Sequence, residues 1–103
     1  MRYTINRTAT LTTPDADWDR PQWQTAETLA ITHFPWADSG HRPVVQVRVL
    51  YDERALALIF RVEDRYVRAV AERFQDGVCT DSCVEFFVAP ITGSQAYFNF
   101  EVN

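Results

Sequence analysis

Residues 44–63 read VVQVRVLYDERALALIFRVE, and the reading of this stretch decides the fold class. Val45, Val47, Val49 and Tyr51 alternate with Gln46, Arg48 and Leu50. After a break, Leu56, Leu58, Phe60 and Val62 alternate with Ala57, Ile59, Arg61 and Glu63. A period of two belongs to a β-strand, whose successive side chains point to opposite faces. Asp52-Glu53-Arg54-Ala55 has the length of a short hairpin loop built on a type I turn, although it lacks Asn-Gly. The spacing therefore predicts two strands joined as a β-hairpin.

Toward the C-terminus the alternation returns. Val84, Phe86 and Val88 alternate with Glu85 and Phe87, and Phe98, Phe100 and Val102 alternate with Tyr97, Asn99 and Glu101. Pro90, Gly93 and Ser94 supply a turn between these runs. Residues 66–76 fit two readings, because Val67, Val70, Ala71 and Phe74 have helical spacing while Tyr66 to Val70 equally continue a strand. Toward the N-terminus, residues 28–32 form a candidate short strand. Residues 1–27 suggest an early strand and then an ordered loop around Thr13-Pro14-Asp15-Ala16-Asp17-Trp18. Two prolines and a glycine mark residues 34–43 as a loop. No repeat, linker or low-complexity tract divides the chain, so residues 1–103 are read as one domain.

Composition narrows the function. Apolar residues make up 47% and aromatics 14%, enough for a packed core. The net charge of −4 weighs against nucleic acid and against an anionic membrane surface, since both need clustered cations. All 10 cations are Arg, so Schiff-base chemistry and the phosphate-binding P-loop lysine are excluded. No G-x-S-x-G elbow is present, and Gly40, Gly77 and Gly93 are too scattered for a phosphate loop. Met1 to Thr8 contain no apolar run that would serve as a signal-peptide core, and no stretch is long enough to span a bilayer, which leaves localisation open.

Parity sorts the four strands into an apolar face and a second face carrying Gln46, Arg48, Arg61, Glu63, Glu85, Phe87, Tyr97, Asn99 and Glu101. Arg and Asn donate to hydroxyls, carboxylates accept from them, and an aromatic ring stacks on the C–H face of a sugar, so this set suits carbohydrate. The plainer reading is a solvated sheet face with cross-strand ion pairs. Trp36 favours the sugar, because a tryptophan in a Pro- and Gly-containing loop is a stacking platform unless it folds back as a lid on the core. The lid role is assigned instead to Trp18 and Trp23. With Trp36 stacking, Arg48, Arg61 and Asn99 act as donors and Glu63, Glu85 and Glu101 as acceptors. The three glutamates also raise the question of a glycosidase pair, but neighbouring Arg48 and Arg61 keep them ionised, which suits binding rather than general-acid work.

Metal chemistry finds little support. Asp15, Asp17 and Asp19 have oxygens at alternate positions but lack the glycine and distal glutamate of a calcium loop, so a turn-forming role is expected. His33, His41, Cys79 and Cys83 match no compact zinc spacing. The cysteines are expected to be buried free thiols, with a bond between them left open.

The order Asp17-Trp18, Phe34-Pro35-Trp36, Val47-Arg48-Val49-Leu50-Tyr51-Asp52 and Phe60-Arg61-Val62-Glu63-Asp64, followed by Asp81-Ser82-Cys83-Val84-Glu85-Phe86-Phe87-Val88 and Tyr97-Phe98-Asn99-Phe100-Glu101-Val102-Asn103, resembles the family 9-like carbohydrate-binding modules over essentially the whole chain. The last two runs are the most specific. The resemblance implies an all-β, antiparallel, immunoglobulin-like β-sandwich and non-catalytic binding of carbohydrate. It also implies Trp36 as the first of two stacking tryptophans, and no cofactor other than a structural Ca²⁺. The family's second tryptophan and its remaining strands have no counterpart before Asn103, so the sandwich is expected to be incomplete in this chain and its final edge strand to invite self-association. The rival readings are a protein-interaction β-sandwich, an accessory domain of a glycoside hydrolase, a hydrolase itself, and a haem-binding relative. The last is disfavoured because the only methionine is Met1.

Overall fold

The computed structural model describes residues 1–11, 13–36 and 39–103. Among the described residues six strands form in chain order: β1 (Asn6–Arg7), β2 (Leu29–Ile31), β3 (Val44–Tyr51), β4 (Leu56–Glu63), β5 (Val84–Val88) and β6 (Phe98–Val102). The described helical segments are two short 3-10 turns, Pro21–Thr25 and Val78–Thr80. The chain is all-β, with the two sheets that a sandwich requires. No described helix is long and apolar enough to cross a membrane. Two compact units divide the chain, Met1–Arg65 and Tyr66–Asn103.

The first unit is built on the hairpin read from residues 44–63. β3 and β4 pair antiparallel from Val44↔Glu63 to Tyr51↔Leu56. Asp52 sets the turn: its Oδ1 accepts from the Arg54 and Ala55 amides at 2.8 and 2.9 Å. Hydrogen bonds from the Arg54 amide first, and then from Leu11, hold the Asp52 carboxyl below its ordinary value. The other edge of β3 is shared by two short strands. β2 pairs with its first half antiparallel, Ile31↔Val45 to Leu29↔Val47. β1 pairs with its far end parallel, Asn6↔Leu50 and Arg7↔Tyr51, the one departure from antiparallel pairing among the described strands.

Alternation names the sides of β3 correctly but not what covers them. Val47 and Val49 are buried on one face, as expected. Leu50, fully buried at 0% exposure, and Ile59 lie on the opposite face, the one that also carries Arg48. They pack with Trp23 (6% exposed), flanked by Leu11, Trp18, Ala26 and Ala57. The expectation of a polar, partly aromatic second face is thus corrected on β3 and β4: the chain start folds over it, and the Pro21–Thr25 turn lays Trp23 into the core. The lid role assigned to Trp18 and Trp23 is the observed one.

Polar bonds tie this N-terminal strap down. Tyr3 Oη donates to the Glu27 carbonyl and accepts from the Val49 amide at 3.1 Å. Asn6 Nδ2 donates to the Thr25 carbonyl at 2.6 Å, and the Leu11 amide donates to Asp52 Oδ2 at 3.1 Å. In the acidic run the Asp17 amide donates to Asp15 Oδ1 and the Asp19 amide to Asp17 Oδ1, while Arg20 pairs with Asp15. These are turn-forming contacts of the kind Asp side chains make with the main chain two residues on.

In the second unit β5 and β6 form a two-stranded antiparallel sheet, from Val84↔Val102 to Val88↔Phe98. Gly93 takes φ +80° in the turn, where the Ser94 amide donates to the Ile91 carbonyl at 3.1 Å. Only a residue without a Cβ adopts that backbone without strain. Residues 66–76 are neither helix nor strand, because carboxylates take the amides that a helix or ladder would use. Asp81 Oδ2 accepts from the Val70 and Ala71 amides at 2.7 and 2.8 Å, and Asp76 Oδ2 from the Glu72 and Arg73 amides at 3.1 and 2.9 Å. Both cysteines are free thiols, but the expectation that they are buried is corrected: Cys79 is exposed and Cys83 half-buried. Cys79 sits on the short Val78–Thr80 turn, outside any strand.

Candidate carbohydrate-binding site

The sequence-predicted residues fall into two groups, each built within its own unit. In the first unit Trp36 stands in the loop between β2 and β3 with 76% of its surface exposed, so it is not a lid. Ala37 and Asp38, next to it, lie outside the described residues. Further along that loop, His41 Nε2 lies 2.7 Å from Asp64 Oδ1, Gly40 takes φ +76°, and the Arg42 guanidinium lies 5.4 Å from the Phe34 ring centre.

Arg48 is engaged in the fold. Its guanidinium lies 4.2 Å from the Trp18 ring centre, its Nε donates to Thr28 Oγ1 at 2.8 Å, and its Nη1 donates to the Trp18 carbonyl at 3.3 Å. A cation stacked on an aromatic face and bonded on two sides holds the strap. Arg61 and Glu63 leave β4 on the same face as Arg48, and their exposed side chains pair with each other, Nη2 to Oε1 at 3.1 Å.

In the second unit alternation turns Glu85 and Phe87 of β5 and Asn99 and Glu101 of β6 to one side. Glu85 and Glu101 face each other directly in the ladder, and Asn99 stands opposite Phe87. Asn99 Nδ2 donates to Glu101 Oε1 at 2.9 Å and reaches Glu85 Oε2 at 3.4 Å, so one neutral amide joins both carboxylates. Beside them Phe87 and Tyr97 form a tilted ring pair, centres 5.6 Å apart, and both rings are exposed. Of the sequence-predicted residues the structure brings Glu85, Asn99 and Glu101 together in this unit, as it pairs Arg61 with Glu63 in the first. Phe87 and Tyr97 complete their face; parity had placed them there, and their mutual contact is what makes them a platform.

At the start of this face Cys83 Sγ lies 4.0 Å from Glu85 Oε1. Burial, and then the charges of Glu85 and Glu101, push its thiol above the ordinary value. Asp81, whose side chain has no exposed surface, receives Arg68 Nε at 3.2 Å and Asn103 Nδ2 at 3.1 Å besides the two amides. The Ala71 amide foremost, with Val70, Asn103 and Arg68, holds its carboxyl below the ordinary value against the opposing effect of burial. This cluster anchors main chain, and sequence reading did not anticipate it, since no local spacing links Asp81 to Val70 or Asn103.

One exposed sheet surface thus carries a ring pair, two carboxylates and an amide. The sequence profile of carbohydrate-binding family 9 matches residues 19–103, and the chain belongs to that family. No curated protein and no solved structure matches the chain. Carbohydrate-binding modules are in general non-catalytic.

Proposed function

We propose that this protein binds carbohydrate without cleaving it, and that the β5–β6 face of the second unit makes the contact. The observation that carries the reading is the grouping of Phe87, Tyr97, Glu85, Asn99 and Glu101 on one exposed surface. A pyranose laid on the ring pair puts C–H groups against the aromatic faces, while its hydroxyls donate to the carboxylate oxygens and accept from Asn99. In the first unit Trp36 supplies a second stacking platform, and the exposed Arg61–Glu63 pair offers a donor and an acceptor. Arg48 contributes by holding the strap; its guanidinium already has three partners. No step of bond cleavage is assigned to any residue.

The test is a titration of the chain with mono- and oligosaccharides, followed by tryptophan fluorescence and, for the face without tryptophan, by amide chemical shifts of residues 84–102. Saturable shifts at Phe87, Asn99 and Glu101 are expected. Trp36→Ala is expected to weaken binding by ~1–3 kcal/mol, the range for an aromatic stacked on a planar ligand. A folded Trp36→Ala variant with unchanged affinity removes Trp36 from the reading, and silence from every saccharide removes the reading altogether.

A further inference from the structure

The β5–β6 face carries a charge that the fold itself does not use. Glu85 and Glu101 are directly opposed across the ladder, a placement that repels when both are ionised. Their one shared partner is the Asn99 amide, which has no charge to offset theirs. Among the described residues no cation pairs with either carboxylate, although Arg68 in the same unit is bonded to Asp81. On the same face, one strand repeat of about 7 Å further along, the Phe87 and Tyr97 rings are exposed. That spacing is the scale of a single sugar unit. Two unneutralised carboxylates beside aromatic faces attract a cation twice over, through the carboxylate charges and through the negative ring faces.

Resting on the carbohydrate reading above, we infer that this face selects amino sugars bearing a free ammonium group, such as the units of a deacetylated glucosamine polymer, over neutral sugars, and rejects uronates. A neutral sugar makes the stacking contact and the hydroxyl hydrogen bonds. An ammonium sugar makes those and relieves the Glu85–Glu101 repulsion, whereas a uronate adds a third carboxylate. The Cys83 thiol nearby is raised first by burial and then by the charges of Glu85 and Glu101.

The experiment titrates the whole chain by calorimetry, in mildly acidic buffer, with four tetrasaccharides: glucosamine, N-acetylglucosamine, glucose and galacturonate. The glucosamine tetramer is expected to bind about five- to tenfold more tightly than the glucose tetramer, the size that two exposed ion pairs and one cation–π contact supply. Glu85→Gln and Glu101→Gln are each expected to shrink that preference severalfold. Glu53→Gln, which makes the same change in net charge at a residue paired with Arg7 in the first unit, is expected to leave it alone. Equal affinity for glucosamine and glucose tetramers overturns the charge selectivity while the carbohydrate reading stands. Binding to none of the four overturns both. A preference that survives both Gln variants, or falls as much with Glu53→Gln, belongs to the net charge of the chain and overturns the assignment to this face.

Discussion

The β3–β4 hairpin and the β5–β6 pair are written in the same alternating code, and they end in different surroundings. On β3 both faces carry buried side chains, Val47 and Val49 on one and Leu50 on the other, because a strap from the chain start closes over the second face. On β5–β6 the alternating polar face stays open, with Glu85, Phe87, Asn99 and Glu101 all exposed. Alternation therefore tells which side chains share a face, and a distant segment decides whether that face becomes core or binding surface. The same side-chain type takes opposite roles for that reason: Arg48 is clamped under the strap, while Arg61 on the next strand is exposed.

This contrast breaks most visibly at Leu50. Leu50→Ala is expected to cost about 2–5 kcal/mol in denaturant melts, as for other buried leucines. A cost near that of a surface residue shows that the strap does not seal the face. Next comes Arg48→Ala, expected to lose roughly 1–3 kcal/mol with the cation–π contact and two charge-assisted bonds. Were Arg48 a free ligand donor, its removal would leave the melt unchanged and affect sugar titrations alone.

Acid sharpens the contrast from the second unit. The Asp81 carboxyl is held below its ordinary value in the folded chain, so its contribution is fully present above the unfolded value, about 3.9. It is lost as pH falls through the lower folded value. The expected sign is loss of hydrogen-exchange protection at the Val70 and Ala71 amides on acidification, and at neutral pH in Asp81→Asn. Protection unchanged in that variant removes Asp81 as the anchor of residues 66–76. The smallest effect is expected at Glu85→Gln, within about 0.5 kcal/mol of the parent in the same melts, since the residue is exposed and has no cation partner among the described residues. A larger loss shows that the open face is structural.

Strands β3 to β6 were legible because each is long enough for its period to show, and the β3–β4 register follows from the loop at Asp52. The Glu85–Asn99–Glu101 grouping was legible from parity for the same reason, once β5 and β6 were paired. The strap was not, since residues 1–27 have no period and Trp23 reaches Leu50 by a 3-10 turn whose start at Pro21 rather than Pro14 no local spacing marks. Residues 66–76 defeated both readings because Asp81 and Asp76 compete for their amides, and a carboxylate that caps another segment leaves no mark in that segment's own spacing. The exposure of Trp36 was one of two open outcomes, and position outside a strand does not decide between them, since Trp23 also lies outside any strand and is buried.

One consequence of the strap is kinetic. The β3–β4 hairpin closes between neighbours, on the scale of microseconds, whereas the Tyr3 hydroxyl and the Val49 amide it accepts from are 46 residues apart. Contacts across such a separation form only after a large loop has lost its freedom. Trp23 is thus expected to lose its solvent exposure in a slower phase than the hairpin takes to zip. Tyr3→Phe, which removes the hydroxyl at that late contact, is expected to speed unfolding and leave the folding limb of the chevron nearly in place. Equal displacement of both limbs would mean that the strap is already docked at the barrier, and that the first unit begins from its N-terminus rather than from its hairpin.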